Sequence, residues 1–128
     1  MIIGVLKEPS PETRVSLLPE HVAILKKWNV DVLVESNAGV TAFANDGKYT
    51  EAGANIKSRS EVLQRSDFIV SINALPQSEI TDLKSKVILG VYQPLFNAGL
   101  MKELAAKGLT VFSMDMLPRT TRAQSMDI

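Results

Sequence analysis

The chain has 128 residues, with 14 basic and 14 acidic side chains and no cysteine. That length predicts one ordinary domain, large enough to bury roughly two thirds of its unfolded surface. Its zero net charge argues against a field that draws it to nucleic acid or an anionic membrane, and the missing cysteines exclude a disulfide framework and a thiolate zinc site.

Apolar runs all fall well short of the ~20 residues that cross a bilayer, and Met1 to Leu6 lack the basic region of a secretion signal. A soluble chain in the cytoplasm is therefore expected. Ile2 to Leu6, Val32 to Glu35, Phe68 to Ile72, Val87 to Val91 and Leu109 to Met114 read as strands. They are nearly continuous apolar runs, the pattern of strands buried on both faces in a parallel sheet.

After the first strand, Pro19 suits the first turn of a helix whose Val22, Leu25 and Trp28 recur on one face. His21, the one histidine of the sequence, lies on the flank of that stripe, where packing outweighs catalysis as an explanation. Asn37-Ala38-Gly39 reads as the loop leaving the second strand, and Asp46 to Ala52, ended by Gly53, as a further short helix. Ser58 with Glu61 has capping-box spacing ahead of Val62 and Leu63, and Ser78 is placed to cap a helix carrying Ile80 and Leu83. Asn97 is placed to cap a helix with Leu100, Met101, Leu104 and Ala105 as its apolar stripe, terminated at Gly108. The class predicted is α/β, a three-layer unit of five parallel strands with helices on both faces and a flavodoxin-like order. In such sheets ligands collect at the carboxyl ends of the strands.

Two polar segments fall at such ends. Lys7-Glu8-Pro9-Ser10-Pro11-Glu12-Thr13-Arg14 follows the first strand, and its prolines restrict the backbone around Arg14. A guanidinium grips a carboxylate or phosphate through two parallel hydrogen bonds, worth ~1.5 to 3 kcal/mol when charge-assisted. The competing reading is an ordinary salt bridge from Arg14 to Glu8 or Glu12. The second segment, Leu117 to Ile128, crowds Arg119, Arg122, Gln124, Ser125 and Asp127 immediately after the last strand. A glutamine amide both donates and accepts, and an arginine anchors a polar group beside it. Gln124 to Ile128 also reads as the start of a helix, with Asp127 at its positive end. The sequence contains no Gly-x-Gly-x-x-Gly fingerprint, P-loop or His-Glu-x-x-His motif.

The Lys7-Glu8, Glu12-Thr13-Arg14-Val15 and Pro19 pattern, together with the terminal segment, resembles the amino-terminal domain of the alanine dehydrogenase and pyridine nucleotide transhydrogenase superfamily. The tail is similar to the Met-Pro-Arg-Ile-Ser-Arg-Ala-Gln-Ser-Met-Asp pattern of transhydrogenase NAD(H)-binding (alpha) subunits. The resemblance implies that residues 1–128 form the first lobe of such a subunit, with a Rossmann dinucleotide-binding domain absent from this chain. It implies an oxidoreductase of the Re/Si-specific, proton-translocating type, moving hydride from NADH to NADP+, with this lobe as one wall of the nicotinamide cleft. Arg119, Gln124 and Asp127 take the catalytic places, and Arg119, Gln124, Ser125, Asp127 and Arg14 the cofactor-binding ones. NAD(H) is expected to be held mainly by the second domain and NADP(H) by a partner subunit. A homodimer in the intact subunit, an attachment to the inner membrane through partner subunits, and little activity of the 128 residues alone complete the expectation.

Alanine dehydrogenases also use a lysine and a histidine, in segments resembling Asp67 to Pro76 and Leu89 to Leu95. Here those segments offer Ser71 and Asn73, and Tyr92-Gln93-Pro94. A glutamine cannot exchange a proton near neutral pH as imidazole does. The rivals are an alanine or saccharopine dehydrogenase-type lobe, kept by Arg14, and a non-catalytic flavodoxin-like interaction domain.

Overall fold

Ile2–Val5 (β1) lies at the centre of a sheet because its short apolar run is shielded on both sides and both faces. The structure is a computed structural model and describes residues 1–80, 82–92 and 98–116. Ile3 pairs with Val32 of β2 (Asp31–Glu35) on one side and with Phe68 of β4 (Phe68–Asn73) on the other. With β3 (Asn55–Lys57), β5 (Val87–Val91) and β6 (Thr110–Ser113), the sheet has six strands in the order β3-β2-β1-β4-β5-β6, every pairing parallel.

The five expected strands keep their relative order, so the three-layer α/β class holds. The count changes to six. β3 escaped the sequence reading because it is a three-residue edge strand whose sole apolar residue is Ile56, opposite Val34. An edge strand is paired on one side and needs no continuous apolar run.

Helices divide between the two faces. Pro19–Lys27 (α1) and Asp46–Ala52 (α2) bury Val22 and Tyr49 with Val5, Val32 and Val34. Arg59–Arg65 (α3), Gln77–Ile80 (α4) and Ala98–Ala106 (α5) bury Val62, Ile80 and Leu104 with Leu6, Ile69 and Ile88 on the other. Each fully buried aliphatic side chain contributes ~1.5 to 3 kcal/mol of transfer free energy.

Several helix boundaries follow from local chemistry. The Asn45 side chain accepts from Lys48 N at 3.0 Å to start α2, and Gly53, at φ 105°, ends it in the left-handed region. Ser58 Oγ accepts from Glu61 N at 3.3 Å at the start of α3. Ser78, by contrast, sits inside α4, because the Pro76 carbonyl already accepts from Glu79 N and Ile80 N at 3.0 and 3.1 Å. Trp28 is 68 % exposed, so the buried stripe of α1 stops at Leu25, and Ala105 of α5 is exposed beside buried Leu104. His21 is likewise exposed and acts at a helix end: its Nδ1 accepts from Leu18 N at 3.3 Å. Gly108, at φ 70°, terminates the α5 segment as expected, while Asn97 lies outside the described residues. Among the described residues no helix is long and apolar enough to cross a membrane.

Candidate functional site

From β1 the chain builds outward through β2 and β3, then returns to β4 and proceeds the other way through β5 and β6. Adjacent connections therefore diverge at the carboxyl ends of β1 and β4, and a crevice opens between them. A cavity of about 480 Å³ occupies that position, lined by residues of the loop after β1 (Leu6, Lys7, Glu8, Pro9, Ser10), by Glu35 and Arg59, and by Ser71 to Glu79 segment residues including Asn73 and Leu75.

Glu8 is its best-fixed polar group. Only 7 % exposed, its carboxylate accepts from Ile72 N and Asn73 N, both at 2.9 Å, and from Asn73 Nδ2 at 3.2 Å. The β4–β5 register slips between Val70 and Asn73. Such a slip frees backbone donors from the ladder, and Glu8 supplies the acceptors. Ser71 Oγ donates to the Asn73 carbonyl at 2.8 Å, and Leu75 N donates to Tyr92 Oη at 3.4 Å. Burial pushes the Tyr92 hydroxyl up to about 12, so it remains a neutral phenol at ordinary pH.

Arg59 closes the far side. Its Nε and Nη2 donate to the two Glu79 oxygens at 2.6 and 2.7 Å, and Nη1 donates to Glu35 Oε2 at 2.9 Å and to the Lys7 carbonyl at 3.2 Å. Lys7 N donates to the same Glu35 oxygen at 2.6 Å. Hydrogen bonding to Glu79 is the largest cause holding the guanidinium above its ordinary pKa. Glu8, Arg59, Glu35 and Glu79 were not singled out as a site from sequence. The available signal was position: in a parallel sheet, polar residues ending β1 and β2 and starting α3 and α4 all arrive at one edge.

Arg14 takes the salt-bridge alternative. Its Nε and Nη2 donate to Glu12 Oε1 and Oε2 at 2.9 and 3.0 Å, and its backbone N donates to Oε1 at 3.0 Å. This guanidinium holds the Glu12 carboxyl down to about 2. Arg14 lines a separate groove of about 340 Å³ with Val15, Ser16, Leu18, Ala42 and Ile72. Asn73 is common to the main cavity and to a hollow bounded by Pro9, Ser10, Pro11 and Glu12, so Glu12, the partner of Arg14, borders the cleft from the first loop.

Arg119, Arg122, Gln124, Ser125 and Asp127 lie outside the described residues, as do Gln93 and Pro94. The last described element, a 3-10 turn over Met114–Met116, leaves the carboxyl end of β6. There Ser113 Oγ donates to Asp115 Oδ1 and accepts from Tyr92 N, tying the ends of β5 and β6 together.

The residues present fit only part of a dinucleotide. The first βα loop carries Pro9 and Pro11 where a pyrophosphate cradle needs glycines. Gly4, inside β1, serves packing: an added Cβ would lie 2.2 Å from Ser66 Oγ. Three carboxylates in the cavity also oppose phosphate, whereas Asn73 suits an uncharged amide or hydroxyl.

The sequence pattern of the family described as the alanine dehydrogenase/PNT N-terminal domain matches residues 4–128. The NAD(P) transhydrogenase subunit alpha of Haemophilus influenzae is 39% identical over 129 residues, spanning 99% of this chain and 25% of that protein. Among solved structures, the transhydrogenase from Sinorhizobium meliloti superposes with a TM-score of 0.91 at 34% identity, covering 99% of this chain and 39% of that one. An L-alanine dehydrogenase does so at 0.81 and 27% identity, covering 89% and 32%. The chain thus spans between a quarter and two fifths of these relatives.

Proposed function

The chain belongs to the alanine dehydrogenase/PNT N-terminal domain family, and from that premise we propose that it is the first lobe of the NAD(H)-binding subunit of a proton-translocating transhydrogenase. In this reading hydride passes from NADH to NADP+, and the carboxyl ends of β1 and β4 form one wall of the nicotinamide cleft. A second, Rossmann-type domain holds most of NAD(H), a partner subunit holds NADP(H), and partner subunits carry the assembly at the inner membrane. The observation that carries the reading is the 39% identity to a transhydrogenase alpha subunit over nearly the whole chain.

The residues support it chemically. Direct transfer between two nicotinamides needs alignment and water exclusion rather than an acid or base that protonates a substrate. Asn73 and Gln93 stand in the segments where an alanine dehydrogenase offers a lysine and a histidine. Glu12 takes the Nε and one Nη2 hydrogen of Arg14, and the exposed guanidinium keeps further donors for an anion. Arg119, Gln124, Ser125 and Asp127 are assigned to the nicotinamide end of the cofactor on the strength of the tail's pattern.

The test is turnover of NADH with an NADP analogue by the complete polypeptide that carries these residues, assembled with its partner subunits. Transhydrogenation that falls at least roughly ten-fold in Gln124→Ala or Asp127→Asn, with folding retained, supports the reading. Oxidative deamination of alanine without transhydrogenation returns the chain to the alanine dehydrogenase branch, with which it also shares its fold. Appreciable turnover by residues 1–128 alone would overturn the division of labour between the two domains.

A further inference from the structure

The switch-point cavity carries an unequal set of charges. Glu8, Glu35 and Glu79 line it against Lys7 and Arg59, and the Arg59 guanidinium is spent on Glu35 and Glu79. Lys7 is exposed, where solvent screens its charge. The Ile72 and Asn73 backbone N–H groups, which would otherwise suit a bound anion, are already taken by the Glu8 carboxylate. Asn73 Nδ2 also donates to Glu8. That contact fixes the orientation of the amide, since the flipped form would set its oxygen against a carboxylate oxygen. Asn73 is left with its carbonyl oxygen and the second Nδ2 hydrogen to offer the cavity, an acceptor beside a donor.

We propose that the Glu8–Asn73 pair makes this cavity selective for a ligand group that both donates and accepts hydrogen bonds, a primary amide, over a carboxylate of the same shape. Asn73 is the contact residue and Glu8 the positioning residue, which both orients the amide and supplies the negative charge that repels an anion. Discrimination of this kind arises as much from the repulsive element as from the attractive one. The inference rests on the reading of the cavity as a nicotinamide wall and adds to it which chemical group of the ring meets this lobe.

Nicotinamide and nicotinate share one ring and differ only in that group, so they are the probes. Each is titrated into the 128-residue chain while backbone amide resonances are followed by NMR. Nicotinamide is expected to displace Glu8, Ile72 and Asn73 and to bind roughly ten-fold more tightly than nicotinate. Asn73→Lys, at an exposed position, sets a cation at the cavity wall beside Glu8 and is expected to reverse the order. Glu8→Gln, where it folds, is expected to narrow the preference to within roughly three-fold. Equal affinities, tighter nicotinate, no displacement at these three residues, or an unchanged order in Asn73→Lys each overturns the proposal. Transhydrogenase turnover is decided by the separate assay, so an amide preference without turnover leaves this inference standing and removes the other.

Discussion

Glu8 Oε1 receives both the backbone N–H and the side-chain amide of Asn73, a residue 65 positions away, at 2.9 and 3.2 Å. Through this contact the loop after β1 is fastened to the carboxyl end of β4, across the point where the sheet changes direction. A carboxylate only 7 % exposed stays buried because three N–H donors replace its water. Removing it leaves those donors without acceptors, the costly side of hydrogen-bond energetics. Glu8→Ala is therefore expected to lower unfolding free energy by ~2 to 4 kcal/mol in urea titration. A loss below ~0.5 kcal/mol would show that water takes over the carboxylate's role.

At the same loop the exposed Arg14 guanidinium pairs with the half-buried Glu12 carboxylate, and the consequence is a titration rather than a large stability term. The Glu12 carboxyl, ordinarily at 4.5, is held at about 2 chiefly by the Arg14 hydrogen bonds. A carboxylate with a depressed folded-state value contributes above its unfolded value and loses that contribution as pH falls from 4.5 towards 2. Carbonyl NMR is expected to place the Glu12 midpoint near 2, returning towards 4.5 in Arg14→Ala. A wild-type midpoint already at 4.5 would mean that Arg14 is free in solution and open to a ligand.

These two contacts also show where sequence reasoning reaches and where it stops. The strands β1, β2, β4, β5 and β6 were legible because burial on both faces writes itself as continuous apolar runs. The edge strand β3 carries no such mark. Asp46–Ala52 was legible to the residue because Asn45 and Gly53 satisfy its ends locally, whereas Trp28 continues the spacing of α1 past the point where the helix has left the core. Arg14 was found, with both its readings open, because its partner is two residues away. Glu8 and Arg59 were not found as a site, because their partners, Asn73, Glu79 and Glu35, come together only when β1, β2 and β4 are laid side by side.

Two tyrosines give the chain an alkaline limit. Burial raises the Tyr49 and Tyr92 hydroxyls from 10.0 to about 12. Tyr49 Oη also donates to the Leu17 carbonyl at 2.6 Å. For an acid whose folded-state value is raised, the native state holds more protons than the unfolded state between the two values, so stability falls as pH rises through that interval. Thermal unfolding temperature is expected to drop between pH 10 and 12, with a shallower drop in Tyr49→Phe and in Tyr92→Phe. An unchanged slope in both variants would assign the alkaline loss to other groups.

Gly4 and Ser66 offer a test of packing under the central strand. A Cβ at Gly4 would lie 2.2 Å from Ser66 Oγ, 2.8 Å from Ser66 Cβ and 2.8 Å from Val62 Cγ1. Ser66 is wholly buried, and its hydroxyl has no hydrogen-bond partner among the described residues. β1 thus tolerates only glycine at this position while α3 and Ser66 stay where they are. Gly4→Ala is expected to cost ~1 to 3 kcal/mol by overpacking. Ser66→Ala removes an unsatisfied buried hydroxyl and is expected to be neutral or slightly stabilising. Because Ser66 Cβ remains in the way, Ser66→Ala relieves Gly4→Ala only in part, and Ser66→Gly, which leaves the Val62 contact alone, relieves it further. Purely additive urea midpoints across these double-mutant cycles would separate the two sites and refute the close approach, since residues in contact couple by ~0.5 to 3 kcal/mol.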